Sequence, residues 1–305
     1  MKNRVVLIAV VVFVLLVSTA MLVGCTSNKT DDAVDTTTSE ETAVERPAWV
    51  ADLVKGDGKT VLVGSDTGYP PFEFQADDGV GFQGFDVDLM NAIGEKLNVE
   101  FQFKTYDFDG IIAGLAAGTE FDMVVSALTI KPSRYEEVDF GLPYYMDKLG
   151  LAALNSSKIT KLDEVEAGTR VAVQTGSSAQ IWAENNLPAG VKYVTNADTA
   201  TLFQALQAGD ADVLIQDLSS IEEFVADPVR DAKLVQEINA GQFFGMAFQR
   251  NAKGAAMKAD IDNALLQVVA NGTYAQIFKK WFGVEPTFLP GDATLEEALA
   301  VTAGM

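Results

Sequence analysis

Apolar stretches of strand length alternate along this chain with stretches that repeat their apolar residues at helical spacing. The alternation runs in two series, one on each side of residues 147–158 (DKLGLAALNSSK). Strands that alternate with helices favour largely parallel sheets with helices packed against them, so we expect an α/β fold. Two series indicate two lobes, and 305 residues are enough to give each lobe a core.

The apolar pattern also locates the individual elements. Strands are expected at 61–65, 99–104, 121–125, 170–173, 191–195 and 211–215. Helices are expected at 85–97, 108–117, 178–185, 199–208, 218–225, 255–270 and 274–282. Residues 287–305 show weak helical character, and the sequence suggests no role for this tail.

The N-terminus is typical of an export signal. Lys2 and Arg4 precede the apolar run 5–17, and LVGC follows at 22–25. A basic segment, an apolar segment and a small-residue cleavage site together indicate a signal peptide, predicted here as residues 1–24. The apolar stretch is also long enough for an uncleaved anchor, and both alternatives place the remaining chain outside the cytoplasm.

The LVGC sequence resembles the lipobox of bacterial lipoproteins, which implies cleavage before Cys25 and a diacylglycerol on its thiol. Two acyl chains anchor a protein stably where one would not. Residues 26–47 are poor in large apolar side chains and rich in Thr, Asp and Glu, which is typical of disorder. We therefore expect residues 25–58 to be the lipidated cysteine and a disordered tether, with the membrane contacted through the lipid only.

Composition argues against several classes of function. Cys25 is the only cysteine and the chain has no histidine, which removes the commonest general base, the usual zinc ligand and any free thiol nucleophile. The formal charge of −21 predicts repulsion from nucleic acids and anionic lipid surfaces. We expect no catalytic residue, no metal, no cofactor and no nucleic-acid partner.

The stretch VVSALTIKPSR (124–134) begins as an apolar strand and then becomes polar. Pro favours the first position of a helix, so a short helix is expected to begin near Pro132 with Arg134 in its first turn. A cation is unfavourable there because the helix dipole is positive at that end, so we expect a neighbouring anion. From this stretch alone, a bound carboxylate and a surface ion pair with Glu136 or Glu137 are equally good candidates.

Two further segments offer contacts for a ligand. TGSSAQIW (175–182) begins a helix at which the N–H groups of Ser177 and Ser178 could bind an anion, although serine there could simply cap the helix. Asp217 ends the strand ADVLIQD, at the edge where open α/β sheets bind ligands, although it could instead cap the next helix. Asp86 is interpreted as structural because it stands where a helix begins.

Six motifs together resemble the bacterial extracellular solute-binding proteins, family 3, which serve polar amino-acid ABC importers. They are SDTGYPPFEF (65–74), GFDVDLMNAIGEKL (84–97), DMVVSALTIKPSR (122–134), VQTGSS (173–178), LIQD (214–217) and NGTYAQIFKKWFG (271–283). Each motif alone is weak evidence, whereas six in the same order and spacing are strong evidence. The resemblance covers about residues 59–284.

The resemblance implies a periplasmic-binding-protein-like type II fold, in which two α/β lobes joined by a two-strand hinge hold one amino acid between them. Residues 59–147 and 241–286 would form the first lobe, residues 148–240 the second lobe, and residues 287–305 a tail. The protein would not be an enzyme but would deliver an L-amino acid to an ABC transporter permease.

The resemblance also assigns roles to single residues. The ligand carboxylate would be held by Arg134, Thr129 and the backbone amides of Ser177 and Ser178, and the ligand ammonium by Asp217. Tyr69 and Phe108 align with aromatic residues that sandwich the ligand side chain, although Phe108 could instead belong to the core. The full set of expected ligand-binding residues is Asp66, Tyr69, Phe108, Ser126, Ala127, Thr129, Arg134, Gln174, Ser177, Ser178 and Asp217.

Asp66, Gln174 and Gln216 are expected near the ligand side chain, and a carboxylate with two amides favours a polar or basic ligand such as glutamine or arginine.

Two alternatives have other functions. An enzyme of this fold, similar to cyclohexadienyl or arogenate dehydratase, would turn over prephenate or arogenate. A sensory or channel-linked domain would need a membrane span after the lobes, and no stretch beyond residue 25 has the required apolar length.

Overall fold

The computed structural model of the protein describes residues 44–304. The predicted signal peptide, Cys25 and residues 25–43 of the predicted tether lie outside the described residues. Across 44–304, no helix combines the length and the apolar character that a membrane span needs.

The chain alternates between strands and helices along most of its length. The strands are β1 (Thr60–Ser65), β2 (Gly68–Tyr69), β3 (Glu73–Gln75), β4 (Phe82–Gln83), β5 (Glu100–Thr105), β6 (Met123–Val124), β7 (Asp139–Leu154), β8 (Arg170–Gln174), β9 (Lys192–Asn196), β10 (Val213–Asp217) and β11 (Ala232–Phe248). The helices are α1 (Phe85–Leu97), α2 (Ile111–Ala117), α3 (Pro132–Tyr135), α4 (Ser178–Asn186), α5 (Thr199–Ala208), α6 (Leu218–Ala226), α7 (Ala252–Ala270), α8 (Thr273–Phe282) and α9 (Leu295–Thr302).

Each strand and helix predicted from the apolar pattern forms, with small shifts at its ends. Burial explains the agreement, because β1 is buried at nearly every position, as expected of a central strand covered on both faces. Local capping explains the sharp ends of α5. The carboxylate of Asp198 accepts the N–H of Thr201 at its start, and Gly209 adopts a left-handed conformation (φ 75°) after its last residue.

One eight-stranded sheet runs through the protein in the order β5-β1-β6-β11-β7-β10-β8-β9. The strands β5, β1 and β6 are parallel to one another, and so are β10, β8 and β9. We call the part built on β5, β1 and β6 the first lobe and the part built on β10, β8 and β9 the second lobe. The predicted α/β class and type II architecture are confirmed by this arrangement and by the structural similarities reported below.

The long strands β7 and β11 connect the two lobes. They pair antiparallel from Asp139 to Leu154, and the pairing register shifts between Ile238 and Gln242. The lobe boundaries predicted at 147/148 and 240/241 fall inside these two strands. Both lobes are therefore joined through one hydrogen-bonded pair of strands, the form of connection expected of a hinge.

An aromatic cluster fixes both long strands to the first lobe. Phe72 contacts Phe85, Tyr145 and Phe244 with ring centroids 5.1 to 6.2 Å apart. Tyr145 belongs to β7 and Phe244 to β11, so these rings hold the ends of both strands in the first lobe's core. Buried aromatic pairs of this kind add stability beyond the area that they bury.

The predicted tether is too long at its C-terminal end. Residues Ala48–Asp52 form a 3₁₀-helix, which the prediction of a disordered tether up to residue 58 did not include. Trp49 and Leu53 are each 5% exposed, and the Trp49 Nε1–H donates to Asp260 in α7 at 2.9 Å. Burying each of these side chains is worth roughly 1.5–3 kcal/mol, which explains why the segment is held.

The tail forms a helix that packs beside the hinge. A capping box between Thr294 and Glu297 starts α9. Further along, the Thr302 hydroxyl donates to the carbonyl of Ile130 at 2.8 Å. Phe288 packs on Phe243 of β11, with ring centroids 5.3 Å apart. The sequence suggested no role for this segment, whereas the structure makes it part of the first lobe's core.

Candidate functional site

A small cavity lies where strands of both lobes end. Its lining residues are Asp66, Tyr69, Phe108, Ser126, Ala127, Thr129, Gln174, Ser177, Ser178, Gln216 and Asp217. The structure thus brings together every predicted ligand-binding residue except Arg134, and Gln216 lies with them.

Topology explains why distant parts of the sequence meet here. Asp66 directly follows β1 and Ser126 closely follows β6, while Gln174 and Asp217 are the last residues of β8 and β10. In open α/β sheets, ligands bind beyond the carboxyl ends of the parallel strands. The hinge turns the carboxyl ends of the two lobes toward each other, so the polar residues that end each series share one cavity.

Asp217 lies in the second lobe and is 5% exposed. Its carboxylate accepts the hydroxyl of Tyr69 from the first lobe and the Nε2–H of Gln242, each at 2.5 Å. It makes no capping bond to α6, so the capping alternative is wrong. Burial raises the pKa of Asp217 to about 6, against the two hydrogen bonds and the charge of Arg134, which lower it.

Asp66 lies in the first lobe and is 8% exposed. Its carboxylate accepts the Nε2–H of Gln174 from the second lobe at 2.7 Å. Burial raises the pKa of Asp66 to about 6, and the nearby charges of Asp198 and Asp107 raise it further. Within residues 44–304, neither Asp66 nor Asp217 forms an ion pair with a Lys or Arg side chain at 4 Å or less. The cavity therefore presents two carboxylates that are not ion-paired with a Lys or Arg side chain of residues 44–304.

The two carboxylates favour a cation, whereas the start of α4, on the same cavity, favours an anion. Ser177 caps this helix, because its Oγ accepts the N–H of Gln180 at 3.0 Å, and Ser177 and Ser178 both line the cavity. The N-terminus of a helix carries a partial positive charge and free N–H groups, both of which favour an anion. Of the two predicted backbone donors, the N–H of Ser177 already donates to the carbonyl of Gln174 at 3.2 Å. Capping and contact with a ligand are thus compatible here. The cavity combines acceptors for a cation with donors for an anion.

Arg134 lies in the predicted short helix, α3, but does not line the cavity. Its guanidinium donates to the carbonyl of Thr129 at 2.8 Å and, across the lobes, to the carbonyl of Gly176 at 3.1 Å. It also lies 5.2 Å from the ring centroid of Phe108. Arg134 is 6% exposed, and burial lowers its pKa to about 10. Among residues 44–304, it forms no ion pair with Glu136 or Glu137, so the surface-pair alternative is wrong.

The two predicted aromatic residues both reach the cavity. Tyr69 is 4% exposed and its hydroxyl bonds to Asp217. Phe108 is 9% exposed and packs with Ile111 and Leu115 in the first lobe's core as well as lining the cavity. Phe108 therefore belongs to the core and also lines the cavity, and its contact with a ligand stays a prediction. Across residues 44–304, no cluster of three or more Asp, Glu or Cys side chains is arranged to hold a metal ion.

Comparison with known proteins assigns the family. The sequence model of the bacterial extracellular solute-binding proteins, family 3, matches residues 61–284. The chain belongs to this family. The match agrees with the resemblance found from the six motifs, and it leaves the tail that forms α9 outside the shared region.

Named members of the family and similar structures are amino-acid-binding proteins. The L-cystine-binding protein TcyJ of Escherichia coli (strain K12) is 30% identical over 232 residues, which cover 75% of this chain and 84% of that protein. A structure described as an ancestral arginine-binding protein bound to arginine is 33% identical with a TM-score of 0.68, and the match covers 73% of this chain and 98% of that chain. The ancestral amino acid-binding protein AncCDT-1, described as a precursor of cyclohexadienyl dehydratase, is 30% identical with a TM-score of 0.67, and covers 76% of this chain and 98% of that chain.

One buried polar residue near this family 3 site was missed by the sequence analysis. Gln242 is fully buried in β11 and contacts three of the cavity residues, Thr129, Ser178 and Asp217. A signal was present, because Gln242 is a lone amide at the start of the apolar run FFGMAF, where the second crossing of the hinge was expected. A buried amide needs polar partners, so its position alone indicated a network.

Proposed function

We propose that this family 3 protein captures a polar or basic L-amino acid between its two lobes and delivers it to an ABC importer. The observation that supports the proposal best is the charge pattern of the cavity. Two carboxylates that are not ion-paired within residues 44–304 face the same space as a capped helix N-terminus, which matches a zwitterion with a polar or basic side chain.

The α-ammonium would bind Asp217, and the α-carboxylate would bind the start of α4. The hydroxyl of Thr129 has one proton, which it donates to Gln242 at 3.0 Å, so it would have to turn from Gln242 to bond to the carboxylate. Arg134 would contribute to the carboxylate as well. A guanidinium has five N–H donors, and the carbonyls of Thr129 and Gly176 use two of them, so donors remain for a ligand. A small rotation of the guanidinium toward the cavity would allow the bidentate pairing that carboxylates favour.

The ligand side chain would extend toward Asp66, Gln174 and Gln216. The charge on Asp66 favours a guanidinium or ammonium group, and the two amides favour any polar group. The similar structure that contains arginine supports a basic ligand. Arginine is therefore the first candidate, and glutamine is the neutral comparison.

Hydrogen bonds between the lobes provide a reason for closure. Tyr69 of the first lobe bonds to Asp217 of the second, and Gln174 of the second lobe bonds to Asp66 of the first. A ligand that contacts the same groups binds the closed form better than the open form and so shifts the equilibrium toward closure. The closed form would then be the one presented to the permease.

We also propose that a lipid on Cys25 holds the protein at the outer side of the membrane. The LVGC sequence supports this, and the segment before Ala48 would be the tether. Labelling with a radioactive or clickable palmitate, with Cys25→Ser as the control, tests the anchor. Label that remains on the serine variant would contradict it.

The experiment for the binding function is a calorimetric titration of the purified protein with each common L-amino acid. We expect binding heat only with polar or basic L-amino acids. In Asp217→Asn, the binding free energy should weaken by roughly 2–5 kcal/mol, because the buried ammonium of the ligand loses its charged partner. Asp210→Asn, which changes an exposed aspartate of the same lobe, is the matched control. An absence of binding to every amino acid would contradict the proposal, and turnover of prephenate or arogenate would favour the dehydratase alternative.

A further inference from the structure

Gln242 makes an unusual set of contacts for a residue that does not line the cavity. Its Nε2–H donates to the Asp217 carboxylate at 2.5 Å. Its Oε1 lies 2.7 Å from the Ser178 hydroxyl and 3.0 Å from the Thr129 hydroxyl. The residue is fully buried in β11, so no water competes for these bonds.

The chemistry of the partners fixes the orientation of this amide. An ionised carboxylate only accepts hydrogen bonds, so the group that faces Asp217 must be the NH₂. The oxygen then faces Thr129 and Ser178, whose hydroxyls can both donate to it. A flipped amide would place its oxygen against the carboxylate, so one arrangement is strongly preferred.

The partners also come from both lobes. Thr129 lies in the first lobe, whereas Ser178 and Asp217 lie in the second, and β11 runs between the two. On the basis of the proposed function, we propose that Gln242 is a positioning residue that holds Asp217 ready for the ligand ammonium and ties it to the hydroxyls beside the ligand carboxylate. One amide thus couples the two ends of the expected ligand across the hinge.

The charged state of Asp217 gives this role a measurable consequence. The titratable or charged groups that face Asp217 are Tyr69 on β2, Arg134 on α3 and Asp147 on β7. Burial favours the neutral carboxyl, whereas Tyr69, Gln242 and Arg134 favour the carboxylate and so lower its pKa. Removing the Gln242 donor therefore raises the pH at which Asp217 ionises.

Carbon-13 NMR of the Asp217 carboxyl in the protein without ligand tests this directly. We expect Gln242→Met, which keeps the length but removes both polar atoms, to move the titration midpoint of Asp217 upward by about one to two pH units, the preference that a hydrogen bond to a charged group provides. Gln242→Glu should move it further, because it places a second carboxylate beside Asp217. Gln236→Leu, an exposed glutamine on the same strand, is the matched control and should not move it.

Titration with L-arginine between pH 5 and pH 8.5 supplies the second measurement. Gln242→Met should bind arginine about fivefold to fiftyfold more weakly than the wild type at pH 6 and approach it at pH 8.5, where Asp217 is mostly ionised in both. An unshifted Asp217 midpoint in both variants, each verified as folded by thermal unfolding, overturns the inference even if the wild type binds amino acids. A wild type that binds no amino acid overturns the proposed function instead, and the NMR result still decides the role of Gln242.

Discussion

Proton release on binding provides a sharp test of the two carboxylates in the cavity. Asp66 and Asp217 each have a pKa of about 6, because both are buried and neither is ion-paired with a Lys or Arg side chain of residues 44–304. A ligand cation placed beside either group lowers its pKa by about one to three units. Binding of a cation near pH 6 must therefore release protons that the free protein holds.

The pKa values determine the size of the effect. Near pH 6, both groups hold part of a proton in the free protein, so a ligand that contacts both releases more protons than a ligand that contacts only Asp217. We expect arginine to belong to the first kind and glutamine to the second. Asp66→Asn should reduce the release caused by arginine to the release caused by glutamine.

The same values predict how affinity depends on pH. Each carboxyl must lose its proton to pair with a cation, so affinity falls as the pH falls below about 6 and is constant well above it. Between pH 8 and pH 5 the loss is about tenfold for each group. Arginine should therefore weaken about a hundredfold and glutamine about tenfold.

Calorimetry in buffers of different ionisation enthalpy measures the released protons, since the slope of the observed enthalpy against the buffer enthalpy is their number. Measurements at pH 6 and pH 8 with wild type and Asp66→Asn form the complete set. Equal proton release by arginine and glutamine in the wild type would refute the assignment of Asp66 to the ligand side chain. Equal release at pH 6 and pH 8 would refute the raised pKa values of both carboxylates.

Three further perturbations test other parts of the structure. Arg134→Ala should weaken amino-acid binding by roughly 2–5 kcal/mol in calorimetry, and unchanged affinity would remove Arg134 from the site. Glu73 is fully buried beside Asp86, and burial raises its pKa well above the usual value. Its contribution to the free energy of unfolding is therefore fully present below about pH 4.5, where the unfolded side chain is also protonated. The contribution is lost as the pH rises through the pKa of the folded protein. Glu73→Gln should therefore reduce the stability difference between pH 5 and pH 8 in urea denaturation, and an unchanged difference would contradict a neutral Glu73. Thr302→Val should destabilise the protein by about 1–3 kcal/mol, because the Ile130 carbonyl loses its hydrogen-bond donor. Thr302→Ser keeps the hydroxyl and should have little effect. Equal denaturation midpoints for the two variants would show that this hydrogen bond contributes nothing to stability.

Most of the fold could be predicted because burial repeats at short range along the sequence. The bounds of α1 and α5 follow from apolar spacing and from capping residues within one turn. The 3₁₀-helix at Ala48–Asp52 and helix α9 could not be predicted in this way. Both depend on single anchors to distant residues, such as Trp49 to Asp260, that no local pattern contains.

The site shows the same division. Asp66, Gln174 and Asp217 could be found because each polar side chain stands at or just after the end of an apolar strand. Gln242 has partners 25 and 113 residues away, at Asp217 and Thr129, so its contacts become visible only when both lobes are folded. The position of Arg134 beyond the cavity also depends on a carbonyl of the other lobe, at Gly176.

Neutral hydrogen-bond donors of the opposite lobe already bind one oxygen of Asp66 and one oxygen of Asp217 in the structure. Tyr69 bonds to Asp217, and Gln174 bonds to Asp66, in both cases across the lobes. These bonds stabilise closure without a ligand, but they leave both buried carboxylates outside any ion pair, which is unfavourable in a site that excludes water. On the proposed function, a ligand cation would supply the missing ion pair at positions that the two lobes bring together. The free energy that the ligand contributes to closure would therefore come from its charge-assisted hydrogen bonds to the two carboxylates. This contribution should disappear when the carboxylates are protonated.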